Sequence, residues 1–146
     1  MTVYDPDAPS GSGWWHLSVV NIPASVTKLA SNSGDVDDAG LSKGAVQLRT
    51  DYGAAAWGGM CPPQGDKPHR YVFTVYAMKT EKVVVPAAVT GASMEPLLAA
   101  GAMGKASFTA KYGRAKEAFS AGARQASPRF AQWLTAGRRG SRPRAG

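Results

Sequence analysis

Two histidines and a small set of carboxylates carry the acid–base chemistry of this chain, and three short segments gather most of it. The first is Asp5-Pro6-Asp7-Ala8-Pro9. Proline locks its own φ and pushes the residue before it towards extended backbone, so this pentapeptide is stiff. In an extended chain residues i and i+2 face the same way, so Asp5 and Asp7 are expected to project together. A surface turn whose Asp side chains cap local N–H groups has an equal claim on the same residues. The second segment is Gly13-Trp14-Trp15-His16-Leu17, where a histidine opens an apolar run beside two tryptophans. Its tautomer there is set by its partners; alone, it reads first as a satisfied core histidine. The third runs from Gly58 through Cys61-Pro62-Pro63 to His69-Arg70-Tyr71. Its glycines permit close backbone approach to a ligand, and loop N–H groups can cradle an anion. A plain connecting loop fits it too. Both histidines of the chain fall in such segments, which weighs for one site against separate coincidences.

These residues need elements to hold them. Short β-rich runs separated by Pro and Gly dominate the first two thirds of the chain. Strands are expected over residues 1–4, 15–22, 46–52, 69–78 and 105–112. The run 69–78 is the strongest, being dense in β-branched and aromatic residues. In 105–112, Ala106, Phe108 and Ala110 alternate with Ser107, Thr109 and Lys111, the pattern of a half-buried strand. Helix is sparse: a turn over 25–30, and a helix over 95–103 with Pro96 in its first position. Helical spacing recurs over 115–126, a second short helix is expected after Ser127-Pro128, and the Gly/Arg/Pro-rich end at 137–146 is expected to be disordered.

The chain has 146 residues, which suits one domain, and its 44% hydrophobic share suffices for a core. Its net charge of +7 is not spread evenly. Residues 1–113 hold nine Lys/Arg and nine Asp/Glu, whereas residues 114–146 hold eight Lys/Arg against Glu117. A neutral body at 1–113 and a basic tail at 114–146 are therefore expected. No apolar run has the length of a membrane span, so no integral membrane segment is expected. One cysteine, Cys61, excludes an internal disulfide framework and a Cys-rich zinc site. With no recognisable leader, a reducing cytoplasm is the expected compartment.

Taken together, Asp5-Pro6-Asp7-Ala8-Pro9, Trp14-Trp15-His16 with Asn21-Ile22-Pro23, Asp51-Tyr52-Gly53 and Cys61-Pro62-Pro63…Gly65-Asp66…Pro68-His69-Arg70-Tyr71 resemble the phosphatidylethanolamine-binding protein family. The match is to its bacterial Raf-kinase-inhibitor-like branch. It runs from Met1 to about Arg114. The resemblance implies a mainly β, antiparallel sandwich with few peripheral helices and a small anion-binding pocket. It also implies that strands the family carries before the Asp-Pro-Asp motif are missing here. Carried over residue by residue, the ligand-binding set is Asp5, Asp7, Trp14, His16, Gly59, Pro62, Pro63, His69 and Tyr71. Met60 stands where the family usually has proline. A cis Ala8–Pro9 peptide is expected on the same ground. With strands missing, Tyr4, Trp15 and Val19 are expected to be less buried than their types suggest. Otherwise the tail covers the gap with Phe119, Phe130, Trp133 and Leu134, or two chains pair their exposed edges as a homodimer.

The function this implies is non-enzymatic binding of phosphoryl or other anionic small groups, with kinase or protease regulation as its reach. No cofactor, catalytic residue or metal is expected. Two other readings compete. Asp/His pairs can serve acid–base hydrolysis, but no hydroxyl or thiol nucleophile sits in a triad pattern. An Arg-rich tail can bind polyanions non-specifically, but it contains no recognised nucleic-acid module.

Overall fold

The structure is a computed structural model that describes residues 1–38 and 40–116. The expectations placed on residues 117–146 (helices, disorder, and a cover formed by Phe119, Phe130, Trp133 and Leu134) lie outside the described residues. Five strands and one helix follow in the order β1 (Thr2–Asp5), β2 (Trp14–Val20), β3 (Val46–Gln47), β4 (His69–Met78), α1 (Gly91–Gly101) and β5 (Ala102–Tyr112). The strands form one antiparallel sheet ordered β3-β2-β1-β4-β5. The fold is mainly β, as the strand pattern indicates. Among the described residues, no helix is long and apolar enough to cross a membrane.

Alternation along the strands splits the core in two. On one face Val3, Leu17, Val19 and Tyr71 are buried together, with Met1, Ile22, Met60 and Phe73 packed against them. On the other, Val20 and Leu48 meet Met94 and Leu98 of α1. Neighbours Val19 and Val20 thus serve opposite faces.

Three local expectations are corrected. The helix begins at Gly91, because Thr90 and Ser93 cap each other: the Ser93 amide donates to Thr90 Oγ1 at 3.2 Å and the Thr90 amide to Ser93 Oγ at 3.0 Å. Pro96 therefore sits inside the helix rather than at its first position. No helix forms over 25–30, where only a turn appears. The third strand is short because the chain leaves β2 after Leu48. The Arg49 carbonyl then accepts the Gly91 amide at 3.0 Å, which anchors the start of α1.

Burial departs from expectation at Val19 but not at Tyr4 and Trp15. Val19 is 1% exposed, while Tyr4 and Trp15 are half-buried. Apolar surface is also uncovered on β4 and β5, where Val75 is 53% and Phe108 63% exposed. The half-buried alternation expected of 105–112 is accordingly absent, since β5 is the edge strand and nearly every residue in it is exposed.

Candidate functional site

The register between β1 and β2 slips at Val3/Tyr4. Val3 faces Leu17, Tyr4 faces Trp15, and His16 has no partner between them. His16 is the extra residue of a β-bulge, a device that re-aims side chains. Without it, strict alternation would send Trp14 and His16 to the face opposite Leu17. With it, Trp14 pairs with Asp5, and the His16 ring packs edge-on against Tyr71 at 5.1 Å. Tyr71 lies two residues after His69 on β4 and shares its face. Asp5, Trp14, His16, His69 and Tyr71 are thereby gathered on one side of the sheet.

Each histidine is held by one ring nitrogen. His69 Nδ1–H donates to Asp5 Oδ2 at 2.8 Å, with His69 5% and Asp5 2% exposed. The other Asp5 oxygen accepts the Asp7 amide at 2.9 Å. His69 Nε2 points towards Asp66, whose carboxylate stands 3.7 Å away. His16 Nδ1–H donates to the Gly58 carbonyl at 2.8 Å, and the Gly58 amide returns a bond to the His16 carbonyl at 3.0 Å. Gly58 has to be glycine: a Cβ there would collide with the Tyr52 ring. The Asp51 carboxylate accepts the Trp15 amide at 2.8 Å, which docks the 51–53 turn on β2. Tyr52 then lies against Trp14 (5.4 Å) and His16 (5.5 Å), its hydroxyl donating to the Gly59 carbonyl at 2.9 Å. Trp57 approaches His16 at 5.9 Å.

Three buried polar atoms in this cluster have no hydrogen-bond partner among the described residues: Trp14 Nε1, His16 Nε2 and the Tyr71 hydroxyl. Burial, and then the charge of Asp5, push the Tyr71 phenol up to about 12. It therefore keeps its proton, and can donate, throughout the neutral range. Burial also lifts the Tyr52 phenol. The Trp14 indole N–H lies near enough to Tyr52 to offset part of the rise, without the alignment of a full hydrogen bond.

Of the remaining expected site residues, Gly59 adjoins the cluster through its carbonyl, which accepts the Tyr52 hydroxyl. Asp7 does not join the cluster: its carboxylate forms a two-pronged ion pair with Arg70 (2.7 and 2.9 Å) and accepts the Arg70 amide at 2.8 Å. Beside Asp66, Lys67, His69 and Lys111 these two line an open cleft of about 450 Å³. Pro62 is buried, whereas Gly59 and Pro63 are exposed. Ala8–Pro9 is trans, as no described peptide bond is cis. Tyr52 and Trp57 were absent from the expected set, although Tyr52 lies within the quoted Asp51-Tyr52-Gly53 motif. Cys61 is exposed, and Arg114 Nη1 donates to its sulfur at 3.2 Å.

The Arg70 pair makes the Asp7 carboxyl an acid-range reporter. It is held down to about 2, chiefly by the Arg70 hydrogen bonds, from an ordinary value of 3.8. A depressed carboxylate contributes stability in full above its unfolded value and loses it as pH falls through its folded one. Urea midpoints should therefore drop more steeply between about pH 4 and 2 in the native chain than in Asp7→Asn. Equal slopes would show that the pair contributes nothing to folding.

Comparison with known proteins gives a consistent answer. The family model described as phosphatidylethanolamine-binding protein matches residues 1–113. The protein YbcL of Escherichia coli is 54% identical over 112 residues, 77% of this chain and 61% of that protein. YbhB of the same organism is 46% identical over 92 residues, 63% of this chain and 57% of that protein. The chain thus spans about six tenths of the length of these curated relatives. The crystal structure of Escherichia coli YbcL, described as a new member of the mammalian PEBP family, superposes with a TM-score of 0.74 over 77% of this chain and 68% of that one.

Proposed function

The chain belongs to the phosphatidylethanolamine-binding protein family, and from that premise we propose that it binds a phosphoryl or other small anionic group, without chemistry, at the Trp14–His16–Tyr71 cluster. The observation that carries this reading is the set of three partnerless buried polar atoms. Buried polar groups are nearly always hydrogen-bonded, and each one left unpaired costs free energy. Trp14 N–H and Tyr71 O–H are donors, and an anion's oxygens would accept from both. His16 adds a proton requirement. Its Nδ1–H is committed to Gly58, so a neutral ring offers only a lone pair at Nε2. That lone pair accepts from the P–OH of a phosphoryl monoanion. A phosphoryl group loses this proton as pH rises past its second pKa of about 6, so affinity falls over the same interval. The Asp5–His69 pair flanks the same face, with one Asp5 oxygen occupied by the His69 Nδ1–H and the other by the Asp7 amide.

Hydrolysis has less support. The contacts of both histidines run to a carbonyl and to carboxylates, not to a hydroxyl or thiol. A nucleophile needs a base within hydrogen-bond reach. Calorimetric titration with inorganic phosphate and with O-phosphorylethanolamine, at about pH 6 and about pH 8, tests the proposal. The expected result is binding that weakens at the higher pH, with proton uptake revealed by buffers of different ionisation enthalpy. Absence of binding at both pH values would overturn it.

A further inference from the structure

We propose that the outer edge of β5 is a docking site for an extended, acidic segment of a partner protein. β5 pairs with β4 along its whole length, from His69↔Tyr112 to Met78↔Ala102. Within Ala102–Tyr112, no backbone hydrogen bond reaches the outer side among the described residues. An 11-residue open edge is a template for another strand.

The side chains select what pairs there. One row of β5 is Ala106, Phe108, Ala110 and Tyr112. Phe108 stacks flat on Phe73 at 4.6 Å and leaves most of its surface open. The other row is Lys105, Ser107, Thr109 and Lys111. Neither lysine has an ion-pair partner among the described residues. β4 and β5 contain no Asp or Glu at all. Arg70, opposite Lys111, is already occupied by Asp7.

This charge pattern argues against two other occupants. A second copy paired about a two-fold axis through Phe108 would set Lys105 against Lys111, and like charges directly opposite are destabilising. Edge lysines commonly serve to prevent such self-pairing. The chain's own residues 117–146 carry six arginines and one glutamate, a composition that does not complement Lys105 and Lys111. A strand with carboxylates facing Lys105 and Lys111, and apolar residues beside Phe108, satisfies both rows.

The test uses the full chain and a synthetic peptide of about ten residues alternating Val and Glu, with a Val/Lys peptide as control. The Val/Glu peptide should slow hydrogen exchange at β5 amides, and the Val/Lys peptide should not. Lys105→Glu combined with Lys111→Glu, both at exposed positions, should weaken the Val/Glu peptide about tenfold or more while residues 117–146 stay unchanged. Proline at the centre of the peptide should abolish protection. Equal binding by the charge-reversed variant, protection confined to the basic residues 117–146, or self-association through β5 in sedimentation without peptide would each overturn the proposal.

Discussion

Replacing His16 by alanine should weaken phosphate binding by roughly 10- to 150-fold. That range corresponds to losing a charge-assisted hydrogen bond of about 1.5–3 kcal/mol. The loss is expected to be large because Nε2 is buried and has no partner among the described residues. His16→Asn separates binding from architecture. Its side-chain amide can still donate to the Gly58 carbonyl that now holds Nδ1, while nothing replaces Nε2. This variant should fold like the native chain, bind phosphate as poorly as His16→Ala, and lose the fall in affinity with rising pH. Calorimetry on the three proteins at two pH values reads all of these. Native affinity in His16→Asn would place the anion elsewhere, with the cleft beside Asp7, Lys67, Arg70 and Lys111 the next location to examine.

Removing the other histidine should act on stability. Asp5 is buried, and among the described residues its carboxylate is held by His69 Nδ1–H and the Asp7 amide. His69→Ala takes away the stronger donor and leaves a buried charge undercompensated, which costs about 3–5 kcal/mol. That is a large share of a small domain's total stability. Combining Asp5→Asn with His69→Ala should recover part of the loss, because no buried charge then remains. Urea unfolding of the native chain, His69→Ala and the double variant decides the matter. A loss below about 1 kcal/mol in His69→Ala would mean that solvent reaches Asp5 and the pair is not a structural element. The two histidines thus have different expected roles: His69 secures the first turn to β4, and His16 faces the ligand.

Much of this was legible in the residues. Dense β-branched and aromatic composition located β4 to the residue, because a pleated half-buried strand favours those side chains wherever they occur. Proline and glycine punctuation separated the strands, because their backbone restrictions act locally. The ordered motifs pointed to the family, and with it to the residues gathered on the Tyr71 face. Local chemistry could not decide which carboxylate would hold which cation. Asp5 and Asp7 look equivalent in an extended pentapeptide, yet His69 takes one and Arg70 the other: neighbouring β4 residues point to opposite faces, and the pairing of β1 with β4 brings Asp5, at the end of β1, to the His69 face. Nor could alternation place His16. Its side chain reaches Tyr71 only through a bulge, and a bulge exists only relative to a partner strand. Helix α1 began early for a related reason: beyond its Thr90–Ser93 cap, its first amide bonds to Arg49, a partner distant in sequence. Period and punctuation are properties of one segment and can be read from it. Register, bulge and the pairing of charges are properties of two segments, and only the assembled sheet determines them.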